Sequence, residues 1–183
     1  VGLVHADGMY PSFRDVVQKI APSVVNLSVV KNLKSYGYGN SGQRDPFLDQ
    51  FFGRFFGPGG QRAMPFKEHS LGSGVILDAA KGIILTNNHV VDGADEITVK
   101  LQDKRELAAT VLGRDAKTDL AVIRLKKPPT DLQAAPFGDS DAMQVGDWVL
   151  AVGSPFGLEQ TVSHGIISAR GRSIGEGPYD DFL

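Results

Sequence analysis

Between Gly72 and Leu125 short apolar runs alternate with turn signals, and that rhythm limits what the chain can become. The runs are GSGVILD (72–78), IILT (83–86), EITVKL (96–101), LAATVLG (107–113) and LAVIRL (120–125). The stretch 79–82 and the charged QDKRE separate neighbours, and Ile97, Val99 and Leu101 alternate with polar residues as a half-buried strand requires. Short strands at this spacing predict an all-β barrel or sandwich.

The flanks divide the chain further. In PSFRDVVQKIAPS (11–23), Val16, Val17 and Ile20 recur at helical spacing before Ala21-Pro22 stops the run, so a short helix is predicted. VVNLSVV (24–30) is β-branched and reads as a strand. Residues 31–70 are rich in Gly, Arg and Phe without a clean period, and read as a long inserted loop with a short amphipathic helix at 46–56. Its phenylalanines, Phe47, Phe51, Phe52, Phe55, Phe56 and Phe66, call for a surface to lie on. After Leu125, residues 126–147 read as a Pro-rich linker with turns, and WVLAVG (148–153) and QTVSHGIISA (160–169) as two further strands. The organisation is therefore an N-terminal segment (1–23), a first β unit (24–125) with its insert, and a linker with the beginning of a second unit (126–183).

Composition excludes several classes. The 183 residues suffice for one large domain or two small barrels, with 42% hydrophobic and 22% charged residues and a net charge of −2. Lys and Arg form no long run, so nucleic acid is not an expected partner, and no apolar stretch reaches the ~20 residues of a membrane helix. No cysteine is present, which removes thiolate nucleophiles and Cys-based zinc sites. His5, His69, His89 and His164 show no metal-ligand spacing, and GSGVIL and VGSPFG lack a complete phosphate-binding motif. The expected cofactor and metal lists are empty. Val4-His5-Ala6 fits the small-x-small pattern before a signal cleavage site, as an arbitrary start also would.

ILTNNHVVDGAD (84–95) places His89 at the end of a predicted strand. An imidazole acts as a base in nucleophilic catalysis when a carboxylate holds one ring nitrogen and a hydroxyl or thiol meets the other. Asp119 stands at a turn before LAVIRL, 30 positions after His89, with one hairpin between. On spacing alone Asp92, Asp95 and Asp115 compete with it, and a turn or capping role fits each.

GSGVILD and GIILTNNHVV, then GRDAKTDLAVIRL, then GDWVLAVGSPFGLEQTVSHGIISARGR, resemble the HtrA (Deg) family of trypsin-like serine proteases in family order. The resemblance runs from about Pro11 to the last residue. It implies a double β-barrel, the first complete and the second incomplete in this chain. His89 becomes the general base and Asp119, not Asp115, its orienting carboxylate. Arg172 falls at a regulatory, activation-sensing arginine, and the 31–70 insert at the regulatory loop. Tyr10 and Phe13 fall in an aromatic N-terminal segment that builds trimers. His164 stands where small or aliphatic residues are common, and no role follows for it. The family's nucleophile lies in a G-N-S-G-G motif expected beyond Leu183. The GNSG at 39–42 is a decoy, because Ser41 precedes His89 and is followed by Gln43. Ser73 and Ser154 read as turn serines.

The implied function is an ATP-independent serine endopeptidase of bacterial periplasmic quality control and stress response. Its expected partners are unfolded protein or peptide substrates and copies of itself, as a homotrimer or a higher oligomer of trimers. The chain as given, without a nucleophile, is expected to be inactive on its own. The competing reading is a non-catalytic β-barrel chaperone or binding module.

Overall fold

The computed structural model describes residues 12–32, 67–154 and 160–171. The proposed helix at 46–56, the loop phenylalanines, His5, Tyr10, Ser41 and Arg172 lie outside them. Helix α1 (Arg14–Ile20) runs into a 3₁₀ turn (Ala21–Ser23), and strand β1 (Val24–Asn32) follows. The next elements are β2 (Lys67–Asp78), β3 (Ile83–Asn87), a one-turn helix α2 (Asn88–Val91), β4 (Glu96–Lys100), β5 (Glu106–Asp115) and β6 (Leu120–Leu125). Strands β7 (Trp148–Gly153) and β8 (Thr161–Ile166) complete the described set.

The first six strands form a closed antiparallel barrel in the order β1-β2-β3-β6-β5-β4, with β4 returning to pair with β1. Alternate positions point inward, as the period of two demands. Val25, Leu27 and Val29 of β1 meet Ile76, Ile84, Val99, Ile123 and Leu125 in one core. Strands β7 and β8 form a separate antiparallel pair, extended by hydrogen bonds from Gly146 N–H to the Ile167 carbonyl (2.8 Å) and from Ile167 N–H to the Asp147 carbonyl (2.9 Å). The all-β expectation is thus met by a barrel, with a second partial sheet beside it.

Strands β1 and β2 extend past the apolar runs that announced them toward the insert. The β1–β2 ladder continues to Asn32↔Lys67, so Lys31–Asn32 and the stretch 67–70 belong to the sheet rather than to the insert. The turn between β2 and β3 needs a left-handed residue and has Gly82 at φ +63°. A β-carbon there would lie 2.8 Å from Cβ of Pro128, so the start of the linker packs directly on this turn.

The barrel and the β7–β8 pair are latched by polar groups. The buried Asn26 amide donates to the carbonyls of Ser154 (2.6 Å) and Gly72 (3.3 Å). The Ser154 N–H donates to Ser73 Oγ (2.9 Å), and Thr86 Oγ1 donates to the Ser73 carbonyl (2.8 Å). Ser73 and Ser154 are therefore structural. Helix α1 is tied down by Gln133 Nε2, which donates to the Lys19 carbonyl (2.7 Å), and by Gln160, which donates to that of Ala21.

Phe13 has a seat within its own chain. Its ring lies 6.0 Å from that of Trp148 and 5.8 Å, edge-on, from that of His164, and the latter two rings are 5.6 Å apart. Beside this trio α1 and β7 line a cleft of about 360 Å³ with Val17, Ile20, Leu150 and Val152. His164 is thus an aromatic packing partner at the foot of α1.

Candidate active site

The ladder between β3 and β6 pairs Asn87 with Leu120. The chain leaving β3 and the chain entering β6 therefore lie side by side, and His89 and Asp119 become neighbours although 30 positions separate them. Instead of running on as a strand, the segment after Asn87 turns once into α2. Val90 and Val91 are buried on that turn, while His89 is left exposed.

The Asp119 carboxylate grips His89 twice. Oδ2 lies 2.6 Å from His89 Nδ1, and Oδ1 accepts the His89 backbone N–H at 2.9 Å. A carboxylate only accepts, so Nδ1 carries the proton of the neutral ring and Nε2 is the nitrogen left free to take one. Nε2 has no partner among the described residues. The pair is open to solvent, with the side chains 52% and 42% exposed, so a covering surface would be needed before chemistry excluded water.

Asp119 adopts φ +52°, a left-handed conformation that Asp tolerates better than most residues. Its carbonyl accepts from the Asn88 backbone N–H (3.0 Å) and from Asn87 Nδ2 (3.2 Å), which also reaches Oδ2 (3.1 Å). Burial alone would raise the Asp119 carboxyl. The His89 backbone N–H, the His89 ring and the Asn87 amide outweigh it and hold the carboxyl below its ordinary value.

The other aspartates do different work. Asp115 caps its own turn, accepting from Lys117 N–H (2.9 Å) and Thr118 Oγ1 (3.1 Å). Asp92 ends α2 and pairs with Arg114. The Asp95 N–H donates to the Val30 carbonyl (3.0 Å). Among the described residues no group of three or more His, Asp or Glu side chains could hold a metal ion. Two contributors escaped the sequence reading. Asn87 stands within the quoted motif, yet only the ladder register shows that its side chain faces Asp119. Gly72 stands in GSGVILD, and a β-carbon on it would lie 2.7 Å from both γ-carbons of Val90.

Comparison with known proteins shows what this chain is similar to. The family profile described as "Trypsin-like peptidase domain" matches residues 72–183. A Haemophilus influenzae protein named "Probable periplasmic serine protease do/HhoA-like" is 46% identical over 185 residues, covering 94% of this chain and 38% of that protein. The Salmonella typhimurium "Periplasmic serine endoprotease DegP" is 40% identical over 189 residues, covering 94% of this chain and 39% of that protein. The chain thus spans well under half the length of these curated relatives. A solved structure of "HtrA-type protease AlgW with tripeptide" superposes with a TM-score of 0.69 at 39% identity, covering 93% of this chain and 44% of that one. The motifs read from the sequence, the closed barrel and these matches agree: the chain belongs to the trypsin-like peptidases of the HtrA type.

Proposed function

We propose that this chain supplies the base and orienting carboxylate of an ATP-independent periplasmic serine endopeptidase that degrades unfolded or misfolded proteins. The observation that carries the reading is the 2.6 Å contact between His89 Nδ1 and Asp119 Oδ2, which leaves Nε2 as the available base. The periplasmic and endoprotease parts are supported by the names of the relatives. In this reading the nucleophilic serine and oxyanion donors come from the protein beyond Leu183. That hydroxyl gives its proton to His89 Nε2 as it attacks the scissile carbonyl, and the proton later leaves with the amine. Asp119 stays ionised throughout, holding the ring and stabilising the imidazolium. Water completes the hydrolysis, so no cofactor is required.

Assembly into trimers through Tyr10 and Phe13, and regulation through Arg172 and the insert, belong to the same proposal. Val16 (54% exposed) and Trp148 (58%), beside Phe13, support an N-terminal apolar contact surface. The test uses the full-length protein and casein, without nucleotide or metal. Wild type should degrade casein and react with a fluorophosphonate probe, and His89→Ala should lose most of the rate. A folded wild type inert in both assays would replace the protease with the binding-module reading.

A further inference from the structure

We infer that Asn87 is a positioning residue of the same site: its side-chain amide locks the carboxylate that orients His89. This rests on the protease reading above. Asn87 is the last residue of β3, and its Nδ2 donates to both the Asp119 carbonyl (3.2 Å) and Asp119 Oδ2 (3.1 Å). Both partners can only accept, so the NH₂ end of the amide must face them, and the orientation of the group is settled by chemistry. Oδ2 is also the atom that receives the His89 ring. Asn87 therefore holds one oxygen while the His89 backbone N–H holds the other, and the carboxylate cannot rotate without breaking one of them.

The second bond of Asn87 serves the backbone. Asp119 sits at φ +52°, and its carbonyl is turned toward α2. Asn88 gives a main-chain N–H to that carbonyl and Asn87 a side-chain one. A single side chain thus couples the unusual backbone of Asp119 to the aim of its carboxylate. No direct contact with the reacting atoms is needed. Partners behind a metal-ligating imidazole are worth on the order of tenfold or more in activity, and a loss of similar size is expected for this support.

The test measures kcat, KM and the pH–rate profile of full-length wild type, Asn87→Ala, Asn87→Asp and His89→Ala on fluorescently labelled casein. Asn87→Ala should lower kcat about tenfold or more with KM within about twofold, because ring orientation rather than substrate contact is lost. Asn87→Asp keeps the shape of the side chain but places a second negative charge beside the ring. That charge favours the protonated ring, so the acid limb of the profile should move to higher pH. Wild-type kcat and profile in both Asn87 variants, with His89→Ala inactive, would overturn the positioning role and leave the protease reading standing. A lowered kcat in Asn87→Ala with an unmoved acid limb in Asn87→Asp would overturn it too, reducing Asn87 to a fold residue. Full activity in His89→Ala would bring down the protease reading and this inference with it.

Discussion

Gly72 faces Val90 so closely that a β-carbon on the glycine would lie 2.7 Å from both γ-carbons of the valine. Val90 is buried on the one-turn helix that carries His89, so strand β2 sets how deeply that helix can sit. Gly72→Ala should push α2 outward, costing about 1–3 kcal/mol by overpacking. Urea unfolding reads the stability. The casein rate of the full-length protein should fall with it, because His89 moves relative to Asp119. Undiminished stability and rate would show that α2 has room the close approach denies it.

The aspartate assignment has its own discriminating pair. Asp119→Asn should lose a large factor in rate, on the order of 10⁴ in trypsin-like enzymes, because the ring is then held in the wrong tautomer. Asp115→Asn should stay within a few-fold of wild type, since among the described residues the Asp115 carboxylate accepts from its own turn, at Lys117 and Thr118, and not from His89. The reverse ranking would transfer the orienting role to Asp115.

Acid should weaken the fold partly through Asp119. Its folded carboxyl lies below the ordinary value, so its stabilisation is present above the unfolded carboxyl pKa of about 3.9 and fades as pH falls through the lower folded value. The stability difference between wild type and Asp119→Asn should be constant near neutrality and shrink below about pH 4. Urea titrations from pH 7 to 3 measure it, and a gap that widens in acid would contradict the assigned direction.

Asn26 should matter for the join between barrel and hairpin. Its amide is buried and bonds the carbonyls of Ser154 and Gly72. Asn26→Ala removes both of these hydrogen bonds from the latch and should cost about 1–3 kcal/mol in urea unfolding. Ser23 gives the opposite case. Its hydroxyl is buried without a hydrogen-bond partner among the described residues, so Ser23→Ala should be neutral or raise stability by up to about 1 kcal/mol. A loss above about 1 kcal/mol in the same assay would reveal a partner for that hydroxyl.

Strands β6 and β7 were legible to the residue, because LAVIRL and WVLAVG are β-branched runs with turns at both ends. The extra length of β1 and β2 was not. Asn32 and Lys67 are held in the ladder by backbone pairing, which leaves no apolar signature in the side chains. Helix α2 was hidden for a related reason. Asn-His-Val-Val favours extended structure by propensity, and burial of both valines decides otherwise. At the site, spacing offered four aspartates. The choice among them on structure depends on the register Asn87↔Leu120 and on a left-handed Asp119, neither of which a sequence displays.

Because β4 returns to β1, the sheet that carries His89 and Asp119 has no first or last strand. A closed ring cannot fray from an edge. Parting β3 from β6 far enough to separate the two side chains means tearing a ladder that is braced from both sides. Amide exchange along Ile84, Leu85 and Val122 should then follow whole-barrel unfolding rather than local breathing. A protease built on this ring would rest with its proton-transfer half already assembled. Any control of such a site would act on the hydroxyl, the oxyanion donors or the approach of the polypeptide to be cut.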